Sequence, residues 1–172
     1  IGITDDFKRL PSSVKLLMQI LAATIAFLGG LPVETFGLLQ MSWHFSLITS
    51  YLLTVFWFVL FMNAINLIDG LDGLASGVAV FSAVVMAVLM IIAGNAKGGL
   101  AFAAIAGGTL GFLRYNFNPA KIFMGDGGSY FLGYSLAFFF IAYGAKSQAV
   151  SFTHLTLPTN REGVDLGACR YF

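Results

Sequence analysis

ITSYLLTVFWFVLFMNAINLIDGLDGLASGVAVFSAVVMAVLMII, residues 48–92, sets two strongly apolar runs on either side of a short polar insert. Each run approaches the roughly 20 residues an α-helix needs to cross a bilayer. Neither has the polar face of a helix in a water-soluble domain. The insert, NAINLIDGLDGLASG at 63–77, carries Asn63, Asn66, Asp69 and Asp72. Ionisable side chains this close to hydrocarbon are costly, and by default they mark function.

The rest of the chain repeats the pattern. Of its 172 residues, 58% are hydrophobic and 10% charged, whereas a soluble domain averages about 25% charged. Five apolar segments are predicted, at 13–28, 45–65, 74–93, 98–113 and 130–145. The fold class expected is all-α: a polytopic transmembrane helix bundle with active-site loops on the cytoplasmic side. Residues 1–145 read as a partial transmembrane domain and 146–172 as an atypical tail. Gly107, Gly108 and Gly111 are expected where helices approach closely. The net charge of +1 offers no basic surface for nucleic acid. A single cysteine, Cys169, excludes an internal disulfide. The opening IGITDDFKRLP has acids where a signal peptide is basic, and reads as the interior of a longer chain.

Counting crossings sorts the loops. Loops 1–12, 66–73 and 114–129 fall on one side, and 29–44 and 94–97 on the other. Lys8, Arg9, Lys15, Arg114 and Lys121 belong to the first side, while the second has Lys97 and Glu34. The Lys/Arg bias puts the first side in the cytoplasm. Asp5, Asp6, Asp69, Asp72 and Asp126 lie on that side too, so five carboxylates from three separated loops converge on one membrane face.

Clustered carboxylates repel one another and resist desolvation unless a cation compensates. Oxygen donors without nearby His or Cys favour a hard ion such as Mg²⁺, with Mn²⁺ also admitted. The loop NFNPAKIFMGDGGS, 116–129, surrounds Asp126 with glycines just before an apolar helix. Glycines allow close backbone approach, and a helix N-terminus offers N–H donors to phosphate. Together these features point to a metal–diphosphate site. Other readings fail on spacing: no GK[ST] follows for a Walker A loop, and Asp69-Gly-Leu-Asp72-Gly lacks the ligand pattern of an EF-hand.

Three motifs, GITDDFKRLPSSVKLLMQI, NAINLIDGLDGLASG and GFLRYNFNPAKIFMGDGGSYFLGY, resemble those of the polyprenyl-phosphate N-acetylhexosamine-1-phosphate transferases. These are polytopic membrane enzymes that start bacterial cell-wall and surface glycans. The resemblance runs from Gly2 to about Gly144, with the motifs in family order. It implies Asp126 as magnesium ligand, and Asp5 and Asp6 as the family's acidic pair, assigned to metal or to activating the lipid phosphate. It implies Asn63, Asn66, Asp69, Asp72 and Asn116 at the nucleotide-sugar site, and Lys15 facing the cleft. The partners implied are a UDP-N-acetylhexosamine, undecaprenyl phosphate and the lipid bilayer; a homodimer stays open. NLIDGLDGLA with NPAKIFMGD is closer to the branch using UDP-N-acetylglucosamine. The alternative is the phospho-N-acetylmuramoyl-pentapeptide branch, which typically has Thr where Ile68 stands. The tail at 151–172 has no counterpart of the family's histidine-bearing last loop, and the chain alone is expected to be inactive.

The reaction implied is attack of a polyprenyl phosphate oxygen on the sugar-linked phosphorus, with UMP leaving. Phosphate monoesters have a second pKa near 6, so the attacking group is already largely dianionic at neutral pH. Asp5 and Asp6 are therefore read as positioning groups rather than bases. The rival classes are a cation transporter, which would carry its acids near the midplane, and a non-catalytic membrane scaffold.

Overall fold

Local chemistry sets where each apolar run becomes a helix. The computed structural model describes residues 11–33, 35–38 and 41–144. Asp5, Asp6 and the tail read as atypical lie outside the described residues. The helices are α1 (Ser12–Leu28), α2 (Leu47–Ile68), α3 (Leu74–Ile92), α4 (Ala96–Asn116) and α5 (Gly125–Phe139). A π-helical turn, Phe140–Gly144, follows α5. Helix α2 starts at Ser46, whose hydroxyl accepts the Thr49 N–H, and α4 starts at Asn95, whose side chain accepts the Gly98 N–H. Each cap satisfies a backbone donor that the first turn leaves unpaired.

The all-α reading holds, with one small addition. Within the expected loop 29–44, β1 (Thr35–Leu38) pairs antiparallel with β2 (Met41–His44), Thr35 opposite His44 and Leu38 opposite Met41. The pairing satisfies backbone groups that have no helix to serve them. A second difference matters more for function. The apolar segment expected to begin at residue 130 begins at Gly125, so Asp126, Gly127, Gly128 and Ser129 form the first turn of α5 and not a loop. Glycine weakens a helix by only about 1 kcal/mol per residue, and tertiary packing overrides that here.

Among the described residues, three helices are long and apolar enough to cross a membrane: α2, α3 and α4, of 22, 19 and 21 residues. Outward-facing side chains are as apolar as the core, with Leu52, Phe56, Phe81, Val88 and Phe131 exposed. Inside, small residues let helices touch. Ala75, Ala79, Ala83 and Ala87 form a buried stripe along α3, and Cβ atoms at the buried Gly98 and Gly99 of α4 would meet Tyr143 at 2.9 Å and Ile91 at 2.6 Å. The expectation for Gly107, Gly108 and Gly111 is corrected: added Cβ atoms there meet nothing within 4 Å. The other close approach is Gly133 on α5, where a Cβ would lie 2.6 Å from the Phe61 carbonyl oxygen of α2. That contact fixes the distance between the two helices that carry the site.

Candidate active site

Asn63, Asn66 and Asp69 are spaced by three on α2. Each step of three residues turns a helix by about 300°, so successive side chains fan round it and do not form one wall. Asn63 turns toward α1: its Nδ2 donates to Gln19 Oε1 at 2.7 Å, and Gln19 Nε2 returns a bond to Asn63 Oδ1 at 3.3 Å. Asn66 turns toward α5, where its Nδ2 donates to Asp126 Oδ1 at 2.9 Å and to Ser129 Oγ at 3.0 Å. Asp69, the residue capping the C-terminus of α2, accepts the Gly125 backbone N–H.

Asp126 is the centre of this arrangement. It sits in the first turn of α5, where the helix dipole favours a negative charge. Gly125 has φ +65°, a conformation that suits glycine, and so turns the chain into the helix. Besides the Asn66 amide, Asp126 receives the Lys15 ammonium of α1, which donates to Oδ2 at 2.7 Å. Three helices thus meet at one carboxylate. The Ser129 hydroxyl, fully buried, donates to the Asp126 carbonyl at 3.3 Å and holds Asn66 in place.

Asp69 is electrostatically coupled to this centre. Burial and then the Asp126 charge hold its carboxyl above the usual carboxylate range, partly offset by the Gly125 N–H. Two carboxylates in mutual repulsion are the hard-oxygen donor set that suits Mg²⁺, which takes one or two protein carboxylates and leaves other positions to water and phosphate. The residues present fit such an ion at Asp126 and Asp69. Among the described residues, no group of three or more His, Cys, Asp or Glu side chains comes together.

Asp72 and Asn116 are engaged elsewhere. Exposed Asp72 accepts the Ala120 N–H at 3.0 Å. Asn116, only 3% exposed, accepts the hydroxyl of buried Ser76 and donates to the Ile122 carbonyl at 3.0 Å. Both pin the segment 117–124, which delivers Gly125 and Asp126. They shape the site through its loop, whereas Lys15 and Asn66 bond the Asp126 carboxylate directly and Asp69 reaches the same turn through the Gly125 N–H. Gln19, Ser76, Ser129 and Gly133 were not singled out from the sequence. A signal existed for Gln19, a lone amide one turn from Lys15 in an apolar helix, and for Ser129, three residues after Asp126.

A family model described as Glycosyl transferase family 4 matches residues 1–144. The chain belongs to glycosyl transferase family 4. The family-4 chain is 45% identical over 138 residues to the "Probable undecaprenyl-phosphate N-acetylglucosaminyl 1-phosphate transferase" of Bacillus subtilis, covering 80% of this chain and 38% of that protein. It is 46% identical over 102 residues to the phospho-N-acetylmuramoyl-pentapeptide-transferase of Limosilactobacillus fermentum, covering 59% of this chain and 30% of that protein. It is 34% identical over 168 residues to the same-named protein of Staphylococcus carnosus, covering 87% and 51%. The chain therefore spans about half or less of the length of these relatives. With three helices able to span a bilayer, the family-4 chain is a membrane protein.

Proposed function

We propose that the parent protein transfers an N-acetylhexosamine-1-phosphate, GlcNAc-1-phosphate in the first instance, from a UDP-sugar to undecaprenyl phosphate with release of UMP. The observation that carries this reading is the meeting of Lys15, Asn66, Asp69 and Asp126 at the ends of three apolar helices. Phosphoryl transfer needs charge neutralisation and positioning more than covalent help from the protein. Mg²⁺, with Mn²⁺ as a substitute, would be held by Asp126 and Asp69 and would neutralise the phosphate oxygens. Lys15 contributes a further positive charge, Asn66 and Ser129 orient the Asp126 carboxylate, and Asp72 and Asn116 hold the loop that feeds α5. Asp5 and Asp6 join as positioning groups for metal or lipid phosphate.

An apolar groove of about 710 Å³ is lined by α4 and by the α5 face that carries Gly128, Phe131, Ser135 and Phe138, with Met124 just before α5 also in its lining. It supports a lipid acceptor, whose tail needs hydrocarbon next to the site. The cytoplasmic placement of the site rests on the Lys/Arg bias and on the UDP-sugar being a cytoplasmic metabolite. The test uses a chimaera carrying residues 11–144 in the Bacillus subtilis relative, given undecaprenyl phosphate and Mg²⁺. UMP should be released from UDP-N-acetylglucosamine and not from the UDP-linked muramoyl pentapeptide. The opposite preference would move the protein to the other branch, and release from neither would overturn the reading.

A further inference from the structure

We infer that Gln19 is a positioning residue of the site: paired with Asn63, it holds α1 in the register that carries the Lys15 ammonium to Asp126. This rests on the proposed transfer reaction and deepens it, placing Asn63 in a clamp between helices and not on the nucleotide. Lys15, Gln19, Ala23 and Ala26 recur at helical spacing and share one face of α1. Gln19, Ala23 and Ala26 are buried there, and Lys15 ends the row at the Asp126 carboxylate.

Most of this row does little to fix register. Ala23 and Ala26 pack in the cluster that contains Phe58, and such apolar contacts are non-directional. At the far end of α1, Thr24 meets the Tyr51 hydroxyl at 3.1 Å, and Phe27 packs edge-on against the Tyr51 ring. Near the site, direction comes from the amide pair. Asn63 Nδ2 donates to Gln19 Oε1 at 2.7 Å, and Gln19 Nε2 donates to Asn63 Oδ1 at 3.3 Å.

The polarity of that pair is set from α2. Asn63 Nδ2 also donates to the Val59 carbonyl of its own helix at 2.8 Å, and a carbonyl only accepts. Both amide hydrogens are thereby committed, and Asn63 presents one donor and one acceptor to Gln19. A primary amide matches both; a carboxylate would set oxygen against oxygen, and a hydrocarbon would match neither. Gln19 is 2% exposed, so water does not stand in for a lost bond. Asn63 keeps no N–H for a nucleotide.

The position of the clamp gives it its role. Gln19 lies one turn from Lys15 on α1, and Asn63 lies about one turn from Asn66 on α2. Lys15 and Asn66 both bond Asp126, at 2.7 and 2.9 Å. The clamp therefore joins the two helices one turn away from the point where both reach the same carboxylate.

The test compares the chimaera carrying residues 11–144 with its Gln19→Leu/Asn63→Leu form. Replacing both partners by apolar groups of similar size leaves neither unpaired and is nearly neutral for stability. The thermal midpoint in detergent should hold, while kcat falls about 10-fold and KM for UDP-N-acetylglucosamine stays within about two-fold. Lys15→Met should cost several-fold less in this background than in the unsubstituted chimaera, because an ammonium already out of place has less to lose. An unchanged kcat, or the same cost of Lys15→Met in both backgrounds, would overturn the clamp. A raised KM in Asn63→Leu with Gln19→Leu silent would overturn it too, and would put Asn63 on the nucleotide.

A second readout needs no turnover: acetylation of Lys15 by acetic anhydride in the 172-residue chain, held in phosphatidylglycerol nanodiscs. Gln19→Leu/Asn63→Leu should raise it several-fold and leave exposed Lys97 and Lys121 unchanged. Equal protection of Lys15 would overturn the clamp. An inactive chimaera together with that rise would overturn the transfer reading and leave the clamp standing.

Discussion

Gly133→Ala tests whether contact between α2 and α5 controls the geometry at Asp126. The added Cβ would lie 2.6 Å from the Phe61 carbonyl oxygen and 2.8 Å from Met62 Cα, both backbone atoms that cannot swing aside. A carbon–oxygen contact closes to about 3.3 Å at the shortest, so the helices must part by about 0.7 Å here. One turn along, Met62 gives way to Asn66 and Gly133 to Ser129, whose hydrogen bond is 3.0 Å. Adding the same displacement takes it to about 3.7 Å, beyond hydrogen-bonding reach. Overpacking of this kind costs about 1–3 kcal/mol, and a misplacement near 1 Å can cost about 10²-fold in rate. The chimaera carrying Gly133→Ala should show a lower thermal midpoint in detergent and UMP release reduced by about that factor. A variant with wild-type midpoint and rate would refute the claim that this contact sets the site.

Asn116→Ala removes the acceptor for the buried Ser76 hydroxyl and should cost about 1–3 kcal/mol in stability, with Ser76→Ala recovering part of the loss in thermal melts of the double variant. Asp69 is held above its ordinary pKa of about 3.9, so the folded state keeps its proton where the unfolded state has released it. Stability therefore falls as pH rises through that window and levels off above it. Asp69→Asn should be more stable than wild type at neutral pH and lose the advantage near pH 3, in melts across that range. Cysteines at Ser12 and Lys121 should react with a membrane-impermeant maleimide only from the cytoplasmic side, and one at Gln40 only from outside; Gln40 and Lys121 labelled from the same side would sink the topology.

The helices were legible because apolar length needs no tertiary information: the segment expected at 74–93 is observed as Leu74–Ile92. The start of α5 was not, because GDGGS carries the local signals of a loop, yet it forms the first turn of a helix that packs on α2 through Ser129 and Gly133. Glycine identity said nothing about which glycine mattered. Gly133 sits in a tight contact and Gly107, Gly108 and Gly111 do not, a distinction that depends on which face meets a neighbour. Loop parity gathered the aspartates and the family resemblance added Asn66 and Lys15, but neither gave the division between Lys15, Asn66, Asp69 and Asp126 on one hand and Asp72 or Asn116 on the other. That division follows from two bonds into segment 117–124 that no spacing rule encodes.

The most direct test compares the chimaera with its Asp126→Asn form, extracting the lipid product and measuring it by mass spectrometry. With UDP-N-acetylglucosamine, undecaprenyl phosphate and Mg²⁺, the unsubstituted form should accumulate undecaprenyl-diphosphate-linked GlcNAc. Asn keeps the shape and removes the charge on which Lys15 and Asn66 converge, so product should form at least about 10²-fold more slowly. Formation at the unsubstituted rate would contradict the assignment of Asp126 as the centre of the site.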